Sequence, residues 1–389
     1  MTKNNLTFPH EIRKPAIFFP HLDGLRFFCF LSVFFFHSFH TDYDYIKNSS
    51  VYYFVKHFLF GNGNLGVNFF FVLSGFLITF LLLREQESYG RINVLNFWKR
   101  RVLRIWPLYF ACLIFGFVVF PQLKVLFGQQ PNETANILFY VTFLNNFDLL
   151  KNGLPDASVL GVLWSVAIEE QFYLLWPLLL IVVPTHWYKR LFLILILITL
   201  AFRAFFDDSL KNEYHTLSCI GDMTVGALGA LFVQKTSLRK KIESVDKVYI
   251  ILLYVAVTSI FLFRDDIQLS FYPLRIVERT LIAIVFLMVI LEQNYAKNSL
   301  FKLGNFKLIS KLGTMTYGLY CLHFIGILIA TNLFKIFHLN TDLWQVLILE
   351  TGVALSITIM IASLSYRYFE SHFLRMKHRL SSISTPLIN

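Results

Sequence analysis

Runs of about twenty apolar residues recur along the whole chain, and each has the length that crosses a bilayer core as a helix. That repetition leaves one expected fold class. It is all-α, a polytopic membrane helix bundle of about ten transmembrane helices. Composition agrees. Of 389 residues 56% are hydrophobic and only 15% charged, against about 25% charged in soluble domains. The expected spans are 23–40, 64–84, 104–121, 161–183, 190–207, 217–234, 248–264, 274–292, 313–334 and 344–368.

The net charge of +11 is read as a topology signal and not as a nucleic-acid surface. Basic residues crowd alternate loops, as in "REQESYGRINVLNFWKRRVLR", "KTSLRKKIESVDK" and "KNSLFKLGNFKLISK". The intervening loops hold acidic pairs, Asp207-Asp208 and Asp265-Asp266. By the positive-inside rule, both termini are expected in the cytoplasm. The domain plan is then a cytoplasmic tail over 1–20, a transmembrane domain over 21–372 and a second cytoplasmic tail over 373–389. Residues 134–150, "TANILFYVTFLNNFDLL", are apolar, but a crossing there would invert every later loop. They are expected to form a short re-entrant or interfacial helix on the outer side. No cleavable signal peptide or lipidation signal is expected at the ends. Cys29, Cys112, Cys219 and Cys321 lie inside apolar runs and read as small buried residues.

Ionisable groups inside spans are costly and mark candidate sites. The first span carries Arg26 and His37, eleven residues apart. That spacing is close to three helical turns, so the two share a face about 16 Å apart along the axis. His37 and His40 stand three apart, but no third ligand accompanies them and no metal is expected. At the start of the third span, "FWKRRVLRIWPLYF" brings Arg100, Arg101 and Arg104 onto one patch. Guanidinium forks match phosphate oxygens, although ordinary positive-inside anchoring is the stronger reading of this cluster taken alone. In "LWSVAIEEQFYLLWP", Ser165, Glu169 and Tyr173 follow at helical spacing on one face, with Glu170 beside them. Glu169 and His37 fall at similar depths, so a pairing that orients the imidazole is expected. Asn68, in "GNGNLGVNFFFVLSGFLIT", needs a polar partner, while Gly66, Ser74 and Gly75 suit close helix packing. His323 lies midway along the ninth span, after Tyr317 and Tyr320.

Arginines at one mouth and a histidine with a carboxylate deeper in suit a donor with phosphates at one end and a reactive arm at the other. Acyl-coenzyme A is such a molecule; nucleotide sugars and lipid phosphates also carry phosphate. A rival reading is a proton-coupled transporter or flippase of a glycan or lipid intermediate. Such proteins tend to show internal repeats and broken helices at the midplane, and neither is evident here.

The ordered series of motifs resembles the acyltransferase-3 family of integral membrane acyltransferases. "LDGLRFFCFLSVFFFH" is similar to the family's opening pattern, with Arg26 and His37 in place. "GVNFFFVLSGFLIT" resembles its second-helix signature, and "RRVLRIWPLY" its paired arginines, as Arg101 and Arg104. "LWSVAIEEQFYLLWP" resembles the tryptophan-serine motif that ends in a carboxylate, here Glu169, with Val166 in place of the usual leucine. "YGLYCLH" and "YRYFE", ending at Glu370, resemble later family features. The resemblance implies a multi-pass bacterial plasma (inner) membrane enzyme. It would move an acyl group, most simply acetyl, from cytoplasmic acyl-CoA to a hydroxyl of an exported or cell-surface carbohydrate. It implies catalytic roles for His37 and Glu169. Arg26, Arg100, Arg101 and Arg104 would hold the donor, and Asn68, Ser165, Tyr173 and His323 would contact substrate. Some family members add an extracellular hydrolase-like domain. This chain is expected to act without one, by direct transfer or with a separate partner protein.

Overall fold

A computed structural model describes residues 19–267 and 272–379. Most of the expected N-terminal tail, and the C-terminal tail beyond residue 379, lie outside the described residues. Within them the chain is built from ten long helices: α1 (Pro20–Phe36), α2 (Leu65–Tyr89), α3 (Val94–Leu126), α4 (Ser158–Val182), α5 (Tyr188–Phe205), α6 (Thr216–Val233), α7 (Lys247–Ile267), α8 (Tyr272–Tyr295), α9 (Thr316–Ile336) and α10 (Gln345–Met376). Each occupies one of the ten expected spans. No strand occurs among the described residues. Seven of the helices are long and apolar enough to cross a membrane on length and composition: α2, α3, α4, α6, α7, α9 and α10. The other three miss for visible reasons. α1 is 17 residues long, and α5 and α8 carry charges in every full-length window, including Arg203 and Arg279.

α1 runs through the centre of the bundle. Leu22, Leu25 and Cys29 pack with α2 and α8, while Phe27, Phe30 and Phe34 pack with α9 and α10. Beside it, α2 and α6 cross at backbone contact. A Cβ on Gly75 would stand 1.9 Å from the Met223 carbonyl oxygen, and one on Gly226 would stand 2.0 Å from that of Val72. The two glycines are reciprocal, so any larger residue at either forces the helices apart. Gly66 packs in the same way against the Cys29 carbonyl of α1. α3 and α4 each carry an internal proline, Pro107 and Pro177. α3 has a π turn at Phe115–Val119, and α10 has two, at Gln345–Glu350 and Ser365–Glu370.

Residues 134–150 form no long helix. They make two short ones, Ile137–Val141 and Asn145–Asn152, parted by Phe143 at a φ of 56°. The break is held from inside the protein. Gln171 of α4 donates to the Phe143 carbonyl at 2.8 Å and to Asn146 Oδ1 at 2.9 Å, and Tyr109 of α3 donates to the Tyr140 carbonyl at 2.7 Å. Irregular backbone within an apolar run survives where protein groups satisfy it in this way.

Candidate active site

α1 ends at His37. Ser38 returns its hydroxyl to the Phe34 carbonyl at 2.7 Å, and Phe39 turns the chain with a φ of 63°. The Phe39 carbonyl is held by the Tyr52 hydroxyl at 2.7 Å and Lys56 Nζ at 3.3 Å. This pinned turn fixes the half-buried His37 ring against fully buried His323 of α9. His37 Nδ1 and His323 Nε2 are 3.0 Å apart, and the rings stack at 5.2 Å. On the far side, His323 Nδ1 lies 2.6 Å from the Tyr320 carbonyl oxygen.

The protons follow from that chain. A carbonyl only accepts, so His323 Nδ1 carries hydrogen and, in the neutral ring, Nε2 is the acceptor. His37 Nδ1 must then donate to it. The lone pair of a neutral His37 therefore sits on Nε2, the nitrogen that no described protein group engages.

A second polar chain adjoins this pair. The Tyr320 hydroxyl and Ser165 Oγ are 2.7 Å apart, and Tyr320 also donates to the Val162 carbonyl at 3.1 Å. One turn along α4, Glu169 faces the hydroxyls of Tyr173 and Ser74, which bond each other. Glu170 accepts from Trp106 Nε1 at 2.9 Å. The expected direct pairing of Glu169 with His37 is not formed; the imidazole of His323 takes that place. Glu169 instead belongs with Arg101 and Arg104, which are its charged neighbours.

The arginines are half-buried where α3 meets α1 and α4. Arg101 lies between the rings of Phe97 and Tyr173, at 5.5 and 5.4 Å, and its Nε has no hydrogen-bond partner among the described residues. Arg104 forms no ion pair among the described residues; Arg26 and Asp23 are its charged neighbours from α1. Arg26 pairs with Asp23, and Arg100 with Glu85 at 3.3 Å. Glu370, held by Ser365 Oγ at 3.0 Å, is near Arg104. Arg26, Arg101, Arg104, Glu169 and Tyr173 are thus brought together, with Ser165, His323 and His37 deeper along the same side.

Asn68 is not part of this group. Its Nδ2 donates to Asp222 Oδ2 at 3.3 Å, inside a separate cluster built on Arg203 and Arg279. Sequence reasoning passed over that cluster. The signal was present, because Arg203, Asp222 and Arg279 are charges within expected spans. It also missed the Tyr320 hydroxyl as the partner of Ser165, the Tyr320 carbonyl as the partner of His323, and Ser74 as the partner of Tyr173.

Comparison with known proteins adds the family. The chain is 27% identical over 380 residues to the O-acetyltransferase OatA of Staphylococcus aureus, covering 91% of this chain and 57% of that protein. It is 27% identical over 383 residues to the peptidoglycan O-acetyltransferase OatA of Listeria monocytogenes, covering 90% and 55%. The chain thus spans little more than half the length of these relatives. No solved structure matches it. The acyltransferase domain model matches residues 19–367, and the chain belongs to that family of membrane acyltransferases.

Proposed function

We propose that the protein is an O-acyltransferase that moves acetyl from acetyl-CoA, taken up at the cytoplasmic face, to a hydroxyl of an exported or cell-surface carbohydrate. The observation that carries this reading is the His37–His323 pair, which leaves His37 Nε2 with a free lone pair about three helical turns along α1 from the arginine group. Arg101 and Arg104, with Arg26 and Arg100, bind the donor's phosphates. The basic loops at that end support its cytoplasmic location. The thioester reaches along α1 towards His37.

His37 Nε2 takes the proton of the acceptor hydroxyl as the oxygen attacks the thioester carbonyl. The tetrahedral intermediate collapses, the carbon–sulfur bond breaks, and the imidazolium returns its proton to the departing thiolate. The products are the ester and coenzyme A. His323 holds the tautomer, and Glu169 lies on the arginine side of the site with Tyr173 and Ser74. Ser165, bonded to the hydroxyl of Tyr320 whose ring adjoins His323, is the hydroxyl placed to serve the reacting carbonyl oxygen, while Tyr173 stays with the arginine group. The names of the relatives support acetyl as the group and a glycan as the acceptor.

The test is His37→Ala in purified, reconstituted protein, read as coenzyme A release and ester formation by mass spectrometry. A loss of ~10²–10⁴-fold in kcat is expected for a general base. Turnover equal to that of the unmodified protein refutes the role.

A further inference from the structure

Between α1 and α2 the chain makes a helical run over residues 50–59. Ser50–Tyr53 is α-helical and passes directly into a π turn at Phe54–Leu59. The two sides of this run differ. One side closes on the protein. Tyr52 is buried and packs with Phe39, Ile46 and Val346. Its hydroxyl and Lys56 Nζ hold the Phe39 carbonyl, two residues beyond His37. The other side is apolar and aromatic, yet it faces out of the protein. Val51, Tyr53, Phe54 and Leu59 are 52%, 65%, 50% and 36% exposed. A contiguous apolar face of this kind marks a contact with something outside the chain.

The neighbours say what that contact is. α2 begins at Leu65, six residues after Leu59, and is long and apolar enough to cross a membrane. Phe58 packs edge-on against Phe263 at 5.5 Å. Phe263 is the last residue but one of the apolar window of α7, which meets the same test. The run therefore sits at the level where two spans end, which is the boundary between hydrocarbon and water. Tyrosine is enriched at that level, and helices with one apolar face lie there along the surface. Charge stands just before the run. Asp44 and Lys47 pair at 3.2 Å with well-exposed side chains, as groups on the water side would.

We propose that residues 50–59 form an interfacial helix whose partner is the lipid of the leaflet next to His37. Val51, Tyr53, Phe54 and Leu59 insert among the upper acyl chains. Lipid fixes the helix, the helix holds the Phe39 carbonyl through Tyr52 and Lys56, and that turn sets the His37 ring. The link to turnover rests on His37 being the reaction centre; the insertion does not.

The test uses nitroxide labels on single introduced cysteines, in the full chain reconstituted into phosphatidylcholine vesicles. The chain's own cysteines are all buried, so labelling is directed to the introduced one. Labels at Tyr53→Cys and Phe54→Cys are expected to collide more with membrane-dissolved oxygen than with a water-soluble nickel chelate, and a label at Asp44→Cys the reverse. A nickel preference at positions 53 and 54 would put the face in water, as a glycan surface requires. Exclusion of both reagents would mean a protein partner or a second copy. Either result overturns the insertion. For the link to His37, Tyr53→Ser with Phe54→Ser is expected to lower kcat in vesicles by ~10-fold or more, because small misplacements of a reacting group are costly. The KM for acetyl-CoA stays unchanged, and Tyr53→Trp with Phe54→Trp, which keeps interfacial rings, retains turnover. Unchanged kcat in the serine variant, or a parallel loss of coenzyme A affinity, overturns the link. Failure of the general-base reading would show instead as full turnover by His37→Ala, with the label results unaltered.

Discussion

Two pairs of arginines sit inside this bundle in opposite circumstances. Arg203 and Arg279 are 1% and 6% exposed, and the protein answers them from within. Arg203 donates to Ser218 Oγ at 2.9 Å, Thr280 Oγ1 at 3.0 Å and the Ser218 carbonyl at 2.6 Å. Arg279 donates to Asp222 Oδ2 at 2.8 Å and to the Asn212 carbonyl at 2.7 Å, with Glu213 at 3.6 Å. Arg101 and Arg104 are half-buried and get rings and a nearby carboxylate, but no ion pair among the described residues. The first pair is a closed account of charge and belongs to the fold. The second has hydrogen-bonding capacity left over, which is what a site for an anionic donor requires.

The largest effect should come from opening the closed cluster. Asp222→Ala leaves two buried guanidinium groups without their shared carboxylate, a loss of about 3–5 kcal/mol. A clear fall in thermal unfolding temperature in detergent is expected. Replacing all three charges together, with Arg203→Met, Asp222→Leu and Arg279→Met, should cost less than Asp222→Ala alone. The reverse order would break the comparison. The double variant Arg101→Ala with Arg104→Ala is expected to keep its unfolding temperature and to lose coenzyme A affinity by ~10-fold or more, since hydrogen bonds to charged groups contribute about 1.5–3 kcal/mol each. Isothermal titration checks this, and unchanged affinity would remove the donor role.

The smallest effect belongs to an exterior pair. Lys124 Nζ lies 2.8 Å from Asp156 Oδ2, and Asp156 also accepts from the Asn132 N–H at 3.0 Å. Partial burial raises the Asp156 pKa, but these two partners outweigh it and leave the carboxyl below its usual range. The stabilisation is present above the ordinary carboxylate pKa and disappears as pH falls through the lowered value. Lys124→Ala should therefore cost under ~1 kcal/mol near neutral pH, with the gap to the unmodified protein closing in strong acid. Unfolding midpoints across that range provide the measurement.

The helices were legible because apolar length is a local property. So was the candidacy of His37, Arg101 and Arg104, since an ionisable group in an apolar run is conspicuous wherever it stands. Partnership was not legible. His37 meets His323, 286 residues away, and nothing in the spacing of α1 or α4 favours that imidazole over the Glu169 carboxylate. Asn68 looked available to a substrate because its true partner, Asp222, lies 154 residues further on. The break at Phe143 has no sequence signal at all, because a phenylalanine in the left-handed region is held there by Gln171 and not by its own preference.

The reciprocal glycines of α2 and α6 also set the mechanics of the site. Ser74, next to Gly75, holds Tyr173 beside the arginine group, while Asp222, next to Met223, anchors the closed cluster. With backbones in contact at both glycines, α2 and α6 cannot slide past each other without separating. They act as a fixed wall. α3 and α10 carry a proline and π turns instead, the places where a helix yields.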